Sequence, residues 1–371
     1  MAKPKARHRS APKRARPTAR KDRGKKPTGG TTPVAKETRG PAFDVLWDAF
    51  GGYQRTAALK AAIELDVFTA IAAGATTLEA LAVRCQAAER GLRALLGYLV
   101  ADGFLTRTGD RYGLSPTAAV FLDRNAPTYV GSAIGFLASP AALEGFARLT
   151  DAVRLGATAL PGDAALAPEH PMWIEFAKAM APLAGTVARL LANLLGVERL
   201  RGGSALDVAA GHGLYGITLA QLNPRLEVTA LDWRNVLAVA EENARRAGVA
   251  ERFRTLAGNA LEVPLGGPYD LVLVPNFLHH FDPATCERFL AKAHAALSPG
   301  GRVVIVEFVP DEDRLGPPAA VRFSLVMLAA TPGGDAYTFS EYQAMLRRAG
   351  FARATLHDLL PSPARVVLAA R

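Results

Sequence analysis

Leu206-Asp207-Val208-Ala209-Ala210-Gly211-His212-Gly213-Leu214-Tyr215-Gly216 decides the fold. An apolar β-type run enters this stretch, and a helical pattern leaves it. Gly211, Gly213 and Gly216 fit the G-x-G-x-x-G spacing of dinucleotide folds. Glycines there let the backbone turn tightly and approach a ligand that a Cβ would block. Asp232 ends the next apolar run, 21 residues beyond Gly211, where a carboxylate can accept both hydroxyls of a ribose. Taken alone, the motif admits NAD or S-adenosylmethionine.

Outward from this loop, apolar runs at 205–209, 227–231, 271–274, 302–306 and 365–369 alternate with helical stretches such as 236–247 and 285–297. That alternation predicts an α/β, doubly wound, Rossmann-like parallel sheet. Three further features separate the two ligands. Asp207 closes the strand before the first glycine, where an anion suits a sulfonium ligand and would repel a pyrophosphate. Asn259 follows Gly258 after the third strand, where its amide oxygen could accept from an adenine amino group. Asn276, after the following strand, is a further expected cofactor contact, and Trp233 could wall the adenine or pack at the surface. Last, Leu297-Ser298-Pro299-Gly300-Gly301-Arg302-Val303 is a helix stop, a Pro-Gly turn and another strand. The succession resembles class I S-adenosylmethionine-dependent methyltransferases.

Upstream, the spacing of Phe43, Leu46, Trp47, Phe50 and Tyr53 predicts a helix over 43–70. A capping box from Thr76 to Glu79 opens a second helix, and Leu92, Leu95, Leu96 and Leu99 line a third. The segments 104–107 and 111–114 flank Thr108-Gly109-Asp110 as a hairpin. Helix, helix, hairpin is the order of a winged helix. Its second helix offers only Arg90 and Arg93 outward, with no Asn, Gln or Lys for base edges. A dimerising role therefore fits better than DNA reading. Residues 130–200 read as helical, with one helix carrying Trp173, Phe176 and Met180, a break or kink at Pro182, and a second helix ending near Gly196. Large apolar residues at this spacing serve a core or a substrate wall.

Downstream, Leu278-His279-His280-Phe281, Val306-Glu307-Phe308 and Met327-Leu328-Ala329-Ala330-Thr331-Pro332-Gly333-Gly334 resemble the plant-type and bacterial small-molecule O-methyltransferase family over about residues 43–371. The resemblance implies an N-terminal winged-helix dimerisation domain, a homodimer, S-adenosylmethionine as cofactor, and a small-molecule acceptor. It puts the catalytic histidine on His279 and its partner carboxylate on Glu307. Histidine suits this work because its unperturbed pKa lies near neutrality. Successive residues in a helical turn point ~100° apart, so His279 and His280 should not both face the site. Trp173, Phe176, Met180, Phe323 and Met327 are candidate walls of an apolar acceptor pocket. The chain departs from the family after Gly334. Ala336-Tyr337-Thr338 stands where a second glutamate is frequent, Asp335 is displaced by one, and Thr331 replaces a frequent asparagine. This loosens the inference to oxygen and keeps N- and C-methylation open.

Composition bounds the rest. The chain has 371 residues, 50% hydrophobic and 21% charged, with 44 Lys and Arg against 34 Asp and Glu. Residues 1–40 hold fourteen of those cations and only Asp22 and Glu37 as acids, so the remainder carries −2. That segment cannot bury enough apolar surface to fold and is expected to be a disordered basic tail with weak polyanion affinity. The expected division is a tail over 1–40, a winged-helix domain over 41–170 and a cofactor domain over 171–371. No run approaches the ~20 apolar residues of a membrane span. Cys85 and Cys286 are too few for a disulfide framework or a cysteine-rich zinc site. No carboxylate–histidine cluster elsewhere suggests a metal, and a cytoplasmic setting is expected. Two readings from other classes stay open at this point: a DNA-binding regulator using the winged helix and tail, and an NAD enzyme on the same glycine loop.

Overall fold

The computed structural model describes residues 43–161 and 169–371. The expected basic tail lies outside the described residues. The chain divides into two compact units, one ending at Phe50 and one running from Gly51 to Arg371. In the first unit, the start of helix α1 (Phe43–Glu64) carries Phe43 stacked on Trp47, both exposed.

The second unit continues with α2 (Val67–Ala72), α3 (Leu78–Arg84), α4 (Glu89–Ala101), β1 (Leu105–Thr108), β2 (Arg111–Leu114) and α5 (Pro116–Phe121). The single helix expected over 43–70 is broken at Asp66, which adopts φ 60°. Aspartate tolerates that left-handed turn. Its carboxylate takes Arg124 Nε at 2.8 Å, while the same guanidinium reaches the Ile63 carbonyl at 3.1 Å and satisfies the helix end. The next cap also moves. Thr77, not Thr76, accepts the Ala80 amide at 3.3 Å. Thr76 is held by the hairpin instead, its hydroxyl accepting from Arg111 at 2.9 Å and its carbonyl from the Tyr112 amide at 2.8 Å. Strands β1 and β2 pair antiparallel around Gly109-Asp110, as expected. Leu81, Leu92, Leu96, Leu99 and Leu105 form the core beneath them.

Short helices α6 (Ala133–Leu137), α7 (Pro140–Ala147) and α8 (Leu149–Leu155) lead to α9 (Met172–Leu195). Two helices were expected around Pro182; there is one, with the proline inside it. Proline leaves a carbonyl one turn back without its amide. Ser132 donates its hydroxyl to the neighbouring Ala179 carbonyl at 3.1 Å, and packing against α6 and the helix after the glycine loop keeps α9 continuous.

The remaining elements are β3 (Gly203–Val208), α10 (Leu214–Leu222), β4 (Leu226–Asp232), α11 (Arg234–Arg246), β5 (Phe253–Ala257), β6 (Tyr269–Pro275), α12 (Pro283–Ala296), β7 (Leu297–Glu307), α13 (Pro318–Ala330), α14 (Phe339–Arg348), β8 (Ala354–Asp358) and β9 (Arg365–Ala370). They build one seven-stranded sheet in the order β5-β4-β3-β6-β7-β9-β8. The sheet is mixed rather than purely parallel, because β9 runs antiparallel to both β7 and β8. Leu191, Leu219 and Val228 belong to the core on one face, and Phe289, Tyr342 and Ile305 to the core on the other. The order reverses between β3 and β6, and such a switch point opens a crevice at the carboxyl ends of the strands.

Candidate active site

The glycine loop is built from within. Gly211 and Gly213 adopt φ 57° and 73°, conformations that favour glycine. A Cβ on Gly213 would lie 2.9 Å from Ala240 and 3.2 Å from Phe253, so this glycine serves the packing of the loop on α11. Asp207 is fully buried, and its Oδ2 accepts the Gly216 amide at 2.9 Å. His212 accepts the Leu214 amide on Nδ1 at 3.1 Å. Two amides in the first turn of α10 are therefore occupied by the protein's own side chains, one of them a carboxylate. A helix N-terminus prepared for a pyrophosphate keeps those amides free. This arrangement fits a donor without phosphates and argues against a dinucleotide.

Asp232 lies at the end of β4. Its two oxygens accept the Gly211 amide at 2.7 Å and the Trp233 amide at 2.6 Å. Burial raises its carboxyl to about 6, against the lowering effect of those two amides. Burial also raises Asp207 to about 7 and lowers His212 to about 4.

A cavity of about 230 Å³ opens at the carboxyl ends of β3, β4 and β6. Gly211, Asp232, Trp233, Asn259 and Asn276 line it, and Trp173 and Phe176 face it from the first turns of α9. These seven expected site residues are brought together. Asp207 and Gly213 are not on its wall; they shape the loop behind it. Met180, Phe323 and Met327 are not on its wall either. Asn259 is partly engaged, its Oδ1 accepting the Leu261 amide at 3.0 Å and its Nδ2 donating to Glu262 at 2.9 Å. The Asn276 side chain meets the Tyr215 hydroxyl.

His279 and Glu307 meet beside this cavity. His279 sits in a short 3₁₀ turn, Leu278–His280, directly after β6, while Glu307 ends β7. The imidazole Nδ1 lies 2.6 Å from Glu307 Oε2, and both side chains are buried. The other carboxylate oxygen accepts the amides of Phe277 at 3.0 Å and Leu278 at 3.1 Å, with that of His279 at 3.4 Å. One carboxylate thus fixes both the turn and the ring. With Nδ1–H donated to Glu307, Nε2 is left as a lone-pair base. Phe323 packs edge-on against the His279 ring at 4.7 Å, so its contact is with the base rather than the cavity.

His280 lines the cavity, edge-on to Trp173 at 5.7 Å. Burial, with the imidazole of His279 beside it, holds His280 well below the usual histidine range, so it is neutral. The two histidine rings do not point to opposite sides: their centroids lie 4.3 Å apart in the 3₁₀ turn, with His279 on the carboxylate and His280, rather than His279, on the cavity wall. Sequence reasoning missed the partners Tyr215, Arg314 and Tyr337. A buried tyrosine and a paired arginine carry no motif, and only the fold shows what they touch.

The loop after α13 closes over the same turn. Gly334 abuts the His279 carbonyl so closely that no Cβ fits. The Tyr337 hydroxyl donates to the Phe281 carbonyl at 2.6 Å. Arg314 binds Asp335 at 3.1 Å, the Ala336 carbonyl at 3.2 Å, and both oxygens of Glu341 at 2.8 Å. Ala336 occupies the position where the resemblance led one to look for a second carboxylate, and it is buried.

A family model described as the O-methyltransferase domain matches residues 170–352, and one described as the O-methyltransferase dimerisation domain matches residues 47–124. The 3-hydroxy-5-methyl-1-naphthoate 3-O-methyltransferase of Streptomyces sahachiroi is 34% identical over 315 residues, which span 82% of this chain and 88% of that one. The tetracenomycin polyketide synthesis 8-O-methyl transferase TcmO of Streptomyces glaucescens is 32% identical over 319 residues, spanning 84% of this chain and 92% of its own. The crystal structure of a candidate O-methyltransferase from Nostoc punctiforme superposes with a TM-score of 0.85 at 49% identity, covering 90% of this chain and 100% of that one. The chain belongs to the O-methyltransferase family, enzymes that take their methyl group from S-adenosylmethionine. The regulator and nicotinamide alternatives give way to methyl transfer to small molecules.

Proposed function

We propose that this enzyme methylates a hydroxyl group of a small aromatic acceptor, with His279 as general base and Glu307 as its orienting carboxylate. The observation that carries the reading is the 2.6 Å contact between the His279 ring and a glutamate that also holds the backbone of the histidine's own turn.

Asp232 would hold the ribose of the donor, Gly211 would admit its backbone, and Trp233 with Asn259 would flank the adenine. Asp207 would act one layer behind, by fixing the loop. S-adenosylmethionine, when bound, supplies an electrophilic methyl group whose leaving thioether takes the bonding electron pair. His279 Nε2 would accept the proton of the acceptor hydroxyl, leaving its oxygen free to take the methyl group. The Nδ1–H stays on Glu307, whose charge stabilises the imidazolium that forms. Trp173 and Phe176 give the cavity an apolar rim, and among the described residues no lysine or arginine lines it. The aromatic edge formed by Trp173 and Phe176 suits an aromatic acceptor beside the donor.

We also place the domain boundary near residue 170, with residues 41–170 mediating a homodimer. The dimerisation-domain match over 47–124 supports this. The buried free thiols Cys85 and Cys286 fit a reducing, cytoplasmic setting. No helix among the described residues is long and apolar enough to cross a membrane. Residues 1–40, with their cationic excess, would bind polyanions weakly.

The test is methyl transfer from labelled S-adenosylmethionine to a panel of hydroxylated naphthalenes and quinones, run with the intact chain and with His279→Ala. Transfer to an aryl hydroxyl that is lost in the variant supports the reading. Transfer to carbon or nitrogen, or turnover undiminished by the substitution, overturns it.

A further inference from the structure

The turn that carries His279 is held from three sides, and only one of them is the Glu307 carboxylate. Cys286 donates its thiol to the Leu278 carbonyl at 3.2 Å from within α12. Gly334 presses on the His279 carbonyl, and the Tyr337 hydroxyl takes the Phe281 carbonyl at 2.6 Å. The last two contacts come from one loop, residues 331–338. That loop is itself tied down. Thr331 Oγ1 accepts the Gly334 amide at 3.0 Å while donating to the Met327 carbonyl at 2.7 Å. Arg314 gathers Asp335, the Ala336 carbonyl and Glu341, and Glu341 completes the capping box of α14 with Thr338.

We propose that Tyr337, anchored through Arg314, is a positioning residue for the catalytic turn, holding His279 in register with Glu307 at a place where no second carboxylate stands. A 3₁₀ turn has poorer internal hydrogen bonds than an α-helix and depends on outside partners. Glu307 accepts the Phe277, Leu278 and His279 amides, and the His280 and Phe281 amides donate to the Phe277 and Leu278 carbonyls, so the Phe281 carbonyl just beyond the turn is where an outside side chain can hold it. The Tyr337 hydroxyl takes that Phe281 carbonyl, which the Cys286 thiol reaches only at 3.6 Å, and the Tyr337 ring is locked edge-on against Tyr342 with centroids 5.9 Å apart. The hydroxyl therefore arrives on a rigid support. A displacement of about 1 Å at a base is enough to cost on the order of a hundredfold in rate. The assignment of His279 as base is taken from the proposed function; the clamp itself is measurable without it.

The experiment uses the full chain saturated with S-adenosylhomocysteine and compares Tyr337→Phe with Tyr269→Phe. The control removes a similar buried hydroxyl bond, from Tyr269 to the Leu265 carbonyl at 2.9 Å. Amide hydrogen exchange across residues 277–281 and the downfield proton resonance of the His279–Glu307 bond are read together. Tyr337→Phe is expected to speed exchange of the Phe277, Leu278 and His279 amides about tenfold and to shift or broaden the resonance, with the amides of α10 unchanged. Arg314→Met should act in the same direction, and Arg314→Lys should recover only part, because an ammonium cannot pair bidentately with Glu341. The proposal is overturned if Tyr337→Phe matches Tyr269→Phe in exchange over 277–281, or if exchange rises uniformly across the sheet, which would mark a general loss of stability. Undiminished turnover by His279→Ala would overturn the base assignment alone and leave the exchange result to decide the clamp.

Discussion

Asp207 Oδ2 lies 2.9 Å from the Gly216 amide, while its Oδ1, also buried, has no hydrogen-bond partner among the described residues. A carboxyl in that setting prefers its proton, and burial raises it to about 7. The protonated form is favoured in the folded chain, so this group's contribution is complete below the unfolded value near 3.8 and is lost as pH rises through 7. Asp207→Asn keeps an acceptor for Gly216 and removes the titration. Urea unfolding of the donor-free protein should show the variant gaining on the wild type between pH 4 and 7, by up to about 4 kcal/mol. A constant difference across that range would remove Asp207 as the titrating group.

The acid limb belongs to a different residue. His212 is lowered to about 4 by burial, below its ordinary 6.5. Here the unfolded chain binds the proton first, so stability falls as pH drops from 6.5 toward 4. His212→Asn preserves an acceptor for the Leu214 amide without a titrating ring. Its melting temperature should fall less steeply than the wild type's over the same interval in a calorimetric pH series.

Donor affinity should follow the ionisation of Asp232. Ribose hydroxyls donate to a carboxylate, and this one titrates near 6 because it is buried. Calorimetric titration of S-adenosylmethionine should show affinity rising between pH 5 and 7. Asp232→Ala should weaken binding at least a hundredfold and flatten the pH dependence. Tight binding by the variant would move the ribose contact elsewhere.

Glu307→Gln tests the tautomer. The amide oxygen can still serve the backbone of the turn, which leaves the NH₂ facing His279 Nδ1. The ring must then accept at Nδ1 and carry its proton on Nε2, where the base is required. Turnover should fall about 10³–10⁴-fold while donor binding is retained. A drop below tenfold would mean that the ring's orientation is set by other contacts.

Gly334→Ala probes the closest approach in the site. The new methyl would overlap the His279 carbonyl and crowd the Thr331 hydroxyl. Forcing them apart should cost about 1–3 kcal/mol of stability and lower turnover more than donor affinity. Ala at Gly300, where nothing lies within 4 Å, is a control for a site without crowding, although its φ of 78° adds backbone strain.

The alternation of strands and helices was legible because strands β3, β4, β6, β7 and β9 are apolar runs between helical patterns. Strands β5 and β8 were not, because Phe253-Arg254-Thr255-Leu256-Ala257 and Ala354-Thr355-Leu356-His357-Asp358 lie at the sheet's two edges and are half polar. Pro182 misled because a proline's local effect is visible in sequence while the tertiary packing that sustains α9 is not. In the site, the glycine loop and the positions after the strands pointed to Gly211, Asp232 and Asn259, and the family resemblance pointed to His279 and Glu307. Neither showed that Asp207 and Gly213 face inward to hold the loop, or that Phe323 packs on the histidine ring. Facing is a property of the pleat and the turn, and it emerges only when the sheet is assembled.

The last strand has a consequence for how the enzyme comes into being. Glu307 stands opposite Arg365, where β9 pairs with β7. Until residues 365–370 have been synthesised, β7 is an exposed edge with unmet backbone groups, and the carboxylate that organises the histidine turn sits at its open end. The nascent chain can bury its winged-helix core early, but the chemistry waits for the final strand to be threaded in. A ribosome stalled a few codons short of β9 would hold a chain that contains every residue assigned to the reaction and yet has no finished place to carry it out.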